Sequence, residues 1–255
     1  MKLIIAGYGY VGKAVAEGFK KHELVIVDPK YTQDSISDHL DADGIIICVN
    51  TPTEKNGIVV TNVANVMDQV PLYMPVLIKS TVTPAVVDSL KEVYPHHSIC
   101  YSPEFLRAKT ATDDFLNQKY AIIGGTDPDG LWHDLFTSTL PKCKMIFACA
   151  EKEACIIKYT TNSFLALKVA FFNQIFDVCE KAGIEYELVR HIVTQDTRIG
   201  SSHTLVPGED GLQGFGGACF PKDTEAFVHW CNHVDSVPTL VESAIQYNNK
   251  VRKNS

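Results

Sequence analysis

A cysteine stands between a glycine-dense loop and a helical pattern in the segment Gly214-Phe215-Gly216-Gly217-Ala218-Cys219-Phe220-Pro221-Lys222-Asp223. At the start of a helix, the terminal N–H groups and a nearby lysine favour the thiolate form of a thiol. Cys219 is therefore a candidate nucleophile, with Lys222 near it and Asp223 one helical turn further along. Taken alone, the segment is equally compatible with a buried structural cysteine beside a helix cap.

A second group of residues points to nucleotide chemistry. Gly7-Tyr8-Gly9-Tyr10-Val11-Gly12 directly follows the first apolar run and opens a helical pattern. In a dinucleotide site the first glycine makes a tight turn, the second admits a pyrophosphate, and the third lets helix and strand pack. Asp28 ends the second predicted strand, where a carboxylate would bind a ribose 2′-hydroxyl and repel a 2′-phosphate. The pattern predicts NAD as cofactor; a glycine-rich turn without a ligand is the alternative.

The elements that position these residues follow from the hydrophobic pattern. Short apolar runs alternate with segments of helical length in the first half of the chain, which is typical of a parallel sheet covered by helices on both faces. We therefore expect an α/β fold with a Rossmann-like, doubly wound NAD-binding domain over residues 1–150. The predicted strands are 2–6, 24–28, 44–49, 76–79, 98–102, 120–123 and 145–148, and the predicted helices between them include 11–21, 62–69 and 84–94.

The pattern changes after about residue 141. Residues 151–182 contain neither glycine nor proline, which predicts one helix nearly 50 Å long at about 1.5 Å per residue. Its stretch 164–176 is apolar on more than one face and should be buried between domains or against another subunit. A glycine-rich loop and two further helices, 222–232 and 237–251, are expected to complete a helical catalytic and dimerisation domain over 151–255.

The composition excludes several classes of protein. The 255 residues are 45% hydrophobic and 21% charged, as in folded globular domains, and the net charge of −7 argues against a nucleic-acid partner. The sequence has no run of 18 apolar residues and no signal peptide at its start, so we expect a cytoplasmic protein that is not bound to a membrane. The eight cysteines are irregularly spaced without a Cys-x-x-Cys pair, so neither a disulfide framework nor a metal site is expected.

Taken in order, the motifs resemble those of the UDP-glucose/GDP-mannose dehydrogenase family. The resemblance covers nearly the whole chain, and several ordered motifs are more specific than any single one. Besides the two glycine segments, the similar blocks are Thr51-Pro52-Thr53, Lys79-Ser80-Thr81-Val82, Ser102-Pro103-Glu104-Phe105-Leu106-Arg107, Lys158-Tyr159-Thr160-Thr161-Asn162-Ser163-Phe164-Leu165-Ala166 and Asp196-Thr197-Arg198-Ile199-Gly200.

The resemblance implies an oxidation of a nucleotide sugar from its C6 alcohol to the carboxylate with two NAD⁺. UDP-glucose is favoured over GDP-mannose as the substrate. Cys219 would add to the aldehyde as a thiohemiacetal that is oxidised to a thioester, and Asp223 and Lys158 would hold the water that takes the hydroxyl proton. Lys158 and Asn162, four residues apart on one helix, would stabilise the oxyanion. Glu104 would activate the hydrolytic water.

Further roles follow from the same resemblance. Thr81 is expected to assist Glu104, and the long helix to form a homodimer. The residues expected to bind the cofactor are Gly7, Gly9, Tyr10, Val11, Gly12, Asp28, Thr51, Pro52 and Thr81, and those expected to bind the substrate are Phe105, Leu106, Arg107, Lys158, Asn162, Arg198, Gly214 and Gly216.

Three departures from the family pattern qualify this interpretation. Ala108 stands where many members have a second acid, and Gln118 and Lys119 replace the usual Pro and Arg. Family enzymes also continue into a third domain that closes over the nucleotide, which we expect this chain to lack. The competing hypothesis is a catalytically weak NAD-binding protein that acts through association or completes its site with a partner chain.

Overall fold

The computed structural model describes residues 1–54 and 57–253. They form two compact units, Met1–Lys158 and the residues from Tyr159 onward. The division falls within one long helix, α6 (Glu151–Ala182), whose predicted bounds are confirmed.

The first unit is built on a seven-stranded sheet with the order β2-β1-β3-β6-β7-β8-β9. A short pair of antiparallel strands, β4 and β5, was not predicted. The strands are β1 (Lys2–Ala6), β2 (Glu23–Val27), β3 (Gly44–Ile47), β4 (Thr53–Glu54), β5 (Gly57–Ile58), β6 (Val76–Ile78), β7 (Ile99–Tyr101), β8 (Tyr120–Gly124) and β9 (Met145–Cys149).

The sheet is parallel except where β7 meets β8, which pair in antiparallel orientation. The predicted parallel sheet is thus confirmed from β2 to β7, and the direction expected for β8 and β9 is wrong. Helix α4 (Ala111–Leu116) lies between β7 and β8.

Helices cover both faces of the sheet. Leu3 and Ile46 pack on one face with residues of α1, α4 and α5, whereas Ile4, Ile45 and Ile47 pack on the other with residues of α2 and α3. Burial on both faces explains why the strands read as near-continuous apolar runs. The helices of this unit besides α4 are α1 (Tyr10–Gly18), α2 (Thr61–Met67), α3 (Pro84–Val93) and α5 (Leu131–Thr139); α4 and α5 were not predicted.

The second unit is helical. It contains most of α6, then α7 (Tyr186–Val193), which was not predicted, α8 (Phe220–His233) and α9 (Thr239–Lys253). One of its cores joins α6, α9 and the loop before α8. It consists of Ala166 and Ala170 of α6, Phe215 of the loop and Ala244 of α9. Among the described residues, no helix combines the length and the apolar character that crossing a membrane requires.

Candidate active site

Loops at one edge of the sheet carry most of the residues predicted to bind a cofactor. They follow the carboxyl ends of β1, β2, β3, β6 and β7, and this edge is where open α/β sheets bind ligands. Gly7, Asp28, Thr51 and Thr81 lie on these loops.

The glycine loop after β1, called the glycine cradle, makes a tight turn into the N-terminus of α1. Gly7 has a φ of +93°, and a Cβ atom there would come within 2.8 Å of the Cys48 carbonyl group. A Cβ on Gly12 would overlap the Gly7 carbonyl oxygen. Gly9, the N-cap of α1, is different, because a Cβ there would meet no atom within 4 Å. The packing therefore accounts for two glycines, while Gly9 leaves room for a pyrophosphate at the helix N-terminus, as an NAD site requires.

Asp28 follows β2 directly and faces the glycine loop. Its Oδ2 accepts a hydrogen bond from the Tyr8 N–H (2.7 Å) and its Oδ1 accepts one from the Lys30 N–H (2.9 Å). Each carboxylate oxygen can accept a further bond, so a ribose hydroxyl can still be bound. The ring of Tyr31 packs on Tyr8, and the Lys13 ammonium lies 4.9 Å from the Tyr31 ring centre.

Side-chain hydrogen bonds tie the loops after β3 and β6 together. The Thr51 hydroxyl donates to the Thr81 carbonyl oxygen (2.8 Å), and the Ser80 hydroxyl donates to the Val49 carbonyl oxygen (2.7 Å). Pro52 accepts a hydrogen bond from the Val59 N–H (2.7 Å). These bonds fix the backbone of both loops beside the glycine cradle.

A buried charge cluster surrounds Glu104. Its carboxylate forms an ion pair with Lys79 at the end of β6, and its carbonyl oxygen accepts a hydrogen bond from Lys158 of α6. The Lys79 ammonium also donates to the carbonyl and hydroxyl oxygens of Ser102 (both 3.1 Å), and all four residues are buried. Burial lowers the pKa of Lys79, whereas the Glu104 carboxylate favours its charged form.

Lys79 had no assigned role in the sequence interpretation, although it lies in a quoted motif. The signal that could have found it is a lysine at the end of a fully apolar strand, since lysine is almost never fully buried unless it is paired. Its presence places the carboxylate of Glu104 in a fixed, buried position.

The three residues after Glu104 differ in the burial and the contacts of their side chains. The Phe105 ring is half-buried, with the Lys158 ammonium 5.2 Å from its centre. Leu106 packs into the core, so it could reach a ligand only through its backbone. Arg107 is exposed and forms a two-pronged ion pair with Asp114 (2.7 and 3.1 Å), and a phosphate would have to compete with this carboxylate.

In the second unit, Cys219 is the N-cap residue of α8 and is partly exposed. Its carbonyl oxygen accepts a hydrogen bond from the Asp223 N–H (2.8 Å), which places the two residues one turn apart. The Asp223 carboxylate is fully buried; it accepts a hydrogen bond from the Asn162 amide of α6 (2.5 Å) and forms an ion pair with Lys222. The predicted residues Cys219, Asp223 and Asn162 are thus brought together.

The remaining predicted substrate residues lie on two loops of the second unit. Arg198 is exposed and paired with Asp196, and the carbonyl oxygens of Ile199 and Gly200 accept hydrogen bonds from Lys168. Gly214 is buried, and Gly216 is half-buried in the loop before Cys219. Two residues of α9, Asn248 and Arg252, bind the backbone of this loop at Phe215. The sequence interpretation missed both, because Phe215 is 33 and 37 residues away from them along the chain.

Family models match two parts of the chain. Residues 30–137 match the NAD-binding domain of the UDP-glucose/GDP-mannose dehydrogenase family, and residues 152–250 match its central domain. The chain is 34% identical over 222 residues to the UDP-glucose 6-dehydrogenase YwqF of Bacillus subtilis, covering 82% of this chain and 49% of that protein. It is 26% identical over 305 residues to the UDP-glucose 6-dehydrogenase of Rhizobium meliloti, covering 99% of this chain and 68% of that protein.

A solved structure shares the fold. The UDP-glucose dehydrogenase from Pyrobaculum islandicum superimposes with a TM-score of 0.86 at 24% identity, over 98% of this chain and 68% of that one. The chain spans about half the length of the B. subtilis relative. On the matches to both domains, together with the relatives that cover most of its length, the chain belongs to the UDP-glucose/GDP-mannose dehydrogenase family and carries the NAD-binding and central domains of that family.

Proposed function

We propose that the protein oxidises the C6 alcohol of a nucleotide sugar to the carboxylate, with UDP-glucose giving UDP-glucuronate. NAD⁺, when bound, supplies the hydride acceptor for both oxidation stages. The observation that carries the proposal is a partly exposed thiol, Cys219, at the N-terminus of α8 beside the buried Asp223–Asn162 pair. Such a group has no evident use in a protein that only binds NAD. The preference for UDP-glucose draws on the names of the relatives.

The thiol accounts for a four-electron oxidation at one carbon. After the first hydride loss, the Cys219 sulfur bonds to the aldehyde carbon, and the aldehyde oxygen takes a proton to give a thiohemiacetal. Loss of the second hydride and of the hydroxyl proton leaves a thioester. Water then attacks the carbonyl carbon, the carbon–sulfur bond breaks, and the products are the carboxylate and the regenerated thiol. In this scheme Asp223 accepts protons, while Lys158 and Asn162 stabilise the oxyanion.

Glu104 is assigned to the hydrolytic water. The ion pair with Lys79 holds the carboxylate of Glu104 in place, and Lys158 binds the carbonyl oxygen of the same residue. Thr81 is assigned to assist Glu104 in activating this water. It lies on the loop after β6, where its carbonyl oxygen accepts a hydrogen bond from the Thr51 hydroxyl.

The test is NADH production with a panel of sugar nucleotides, with identification of the acid product. Two NADH formed per UDP-glucuronate would support the proposal. NAD⁺ binding without turnover of any sugar nucleotide would instead support the NAD-binding protein that acts through association, and turnover of GDP-mannose alone would reassign the substrate.

Cofactor choice gives a first prediction. NAD⁺ should bind at least about tenfold more tightly than NADP⁺, because the Asp28 carboxylate binds a 2′-hydroxyl and repels a 2′-phosphate. Asp28→Ser should reduce this ratio to about threefold or less, since the neighbouring Lys13 and Lys30 would then attract the phosphate. Fluorescence titration with both cofactors measures the ratio, and Asp34→Ser, an exposed carboxylate nearby in sequence, is the control. Equal affinities in the unmodified protein would contradict the assignment of Asp28.

Homodimerisation through the long helix is also proposed. Phe164, Phe171 and Val178 of α6 are 62%, 56% and 53% exposed in the single chain and recur every seven residues, so they share one face. Phe172, by contrast, packs into a core. An exposed apolar stripe of this kind is typical of an association surface.

The dimer gives a second prediction. Phe171→Glu should convert the dimer to a monomer at micromolar concentration, because a carboxylate would be desolvated at the centre of the stripe. Light scattering measures the mass, and Lys181→Glu, at an exposed position of the same helix, is the control. A monomeric unmodified protein would refute the proposed dimer.

A further inference from the structure

Helix α9 binds the backbone of the loop that precedes Cys219. The Asn248 side chain accepts a hydrogen bond from the Phe215 N–H (2.6 Å) and donates one to the Phe215 carbonyl oxygen (3.0 Å). Arg252, one turn further along α9, donates from Nε to the same carbonyl oxygen (2.8 Å). Asn248 is 5% exposed. Because this loop belongs to neither a strand nor a helix, its buried backbone groups depend on side-chain partners.

Arg252 also joins this loop to the turn before it. Its Nη2 donates to the Asp210 carboxylate (2.6 Å) in a turn closed by the Gly208 N–H bond to the Leu212 carbonyl oxygen (2.9 Å). From the other side of the loop, Asn173 of α6 accepts a hydrogen bond from the Gly214 N–H (2.8 Å). The planar guanidinium can bind both acceptors at once, which a lysine ammonium does with less geometric definition.

These contacts explain two glycines of the loop. A Cβ atom on Gly216 would overlap the Arg252 guanidinium, and one on Gly214 would overlap the Asn248 side-chain oxygen. At Gly217 the corresponding Cβ would meet no atom within 4 Å. The Asn248 and Arg252 side chains therefore occupy, in this arrangement, the space that a Cβ atom at 214 or 216 would need.

We propose that Asn248 and Arg252 are positioning residues, which fix loop 214–217 and through it the N-terminal turn of α8 that carries Cys219. Phe215 lies only four residues before Cys219. Motion of its backbone would therefore also displace the Cys219 sulfur atom. The catalytic consequence rests on the proposed function, whereas the control of the loop does not.

Hydrogen exchange tests the loop directly. In Asn248→Ala and Arg252→Met, amide exchange in peptides covering 213–219 should become at least about tenfold faster, while peptides from β1 and α1 keep their rates. In Arg252→Lys, the exchange rate of these loop peptides should lie between the rates in Arg252→Met and in the unmodified protein. Lys250→Met, which removes an exposed cation from the same helix, should change nothing. Unchanged exchange in the loop, or an equal acceleration in all peptides, would overturn the proposal.

The thiol itself supplies a second readout. The rate of Cys219 alkylation by iodoacetamide, followed by peptide mass spectrometry, should change at least about threefold in Asn248→Ala and Arg252→Met but not in Lys250→Met. Competing thiols react slowly, because burial raises the pKa of Cys48 and Cys100 to about 12 and also raises that of Cys149. An alkylation rate that is the same in all variants would show that α9 does not position the sulfur.

A suppressor experiment isolates the proposed contact. Gly216→Ala should accelerate loop exchange in the unmodified protein by displacing Arg252, but should add less than about twofold in Arg252→Ala, where the overlap is relieved. Fully additive effects would contradict the contact.

Catalysis supplies a further readout if the unmodified chain oxidises a sugar nucleotide. In Asn248→Ala and Arg252→Met, kcat for acid formation should then fall while the KM for NAD⁺ stays unchanged. If the loop responds but no sugar nucleotide is oxidised by the unmodified chain, the proposed function fails and this inference stands.

Discussion

Cys219→Ser should uncouple the two oxidation stages, reducing acid formation at least about thousandfold, because removal of a nucleophile eliminates the covalent route. The first oxidation does not require the thiol and should continue at a reduced rate. The variant should therefore form aldehyde and a single NADH per sugar nucleotide consumed. The measurement is NADH by absorbance together with the acid and the hydroxylamine-trapped aldehyde by chromatography.

The control for this prediction is Cys149→Ser. Cys149 is also a partly exposed cysteine, at the end of β9, and the proposed chemistry gives it no role. This variant should retain two NADH per acid formed. Acid production by Cys219→Ser at the rate of the unmodified protein would exclude the thiohemiacetal and thioester, and with them the proposed role of α8.

The turn between β1 and α1, at Gly7, Gly9 and Gly12, could be predicted from sequence because its requirements are local. The motif directly follows a strand and opens a helix, and the backbone of the segment itself makes the turn, as the φ of +93° at Gly7 shows. The 32-residue helix α6 was equally evident, since no glycine or proline interrupts it. Both features are set within a few residues of the chain.

Features that depend on distant parts of the chain were not predicted. The partner of Glu104 is Lys79, which is 25 residues away and becomes its neighbour because β6 and β7 pair in the sheet. The reversed direction of β8 appears only in its pairing with β7, where Tyr101 lies opposite Gly124. The contacts of Asn248 with Phe215 span 33 residues between a helix and an irregular loop. In each case the sequence shows the residue types, but only the tertiary structure decides which of them meet.

Loss of the buried Lys79–Glu104 ion pair should have a large effect on stability. Lys79→Met leaves the Glu104 carboxylate buried without its counter-ion, which should lower the free energy of unfolding by about 3–5 kcal/mol. In a chain of this size the melting temperature should fall by about 10 °C. Thermal and chemical denaturation measure both quantities. Lys152→Met, which breaks the exposed pair with Asp88, should cost less than about 1 kcal/mol.

Two further measurements separate charge burial from a simple packing defect. A protonated, neutral Glu104 is easier to bury than a carboxylate, so the destabilisation of Lys79→Met should shrink as the pH falls from 8 to 5. The double variant Lys79→Met/Glu104→Leu should recover most of the stability, because no unpaired charge remains. A loss that is independent of pH and persists in the double variant would show that Lys79 acts through packing.

The double variant also tests the proposed role of Glu104 in hydrolysis. It should fold like the unmodified protein but lacks the Glu104 carboxylate, which is the proposed base. It should therefore accumulate the Cys219 thioester, which mass spectrometry can detect.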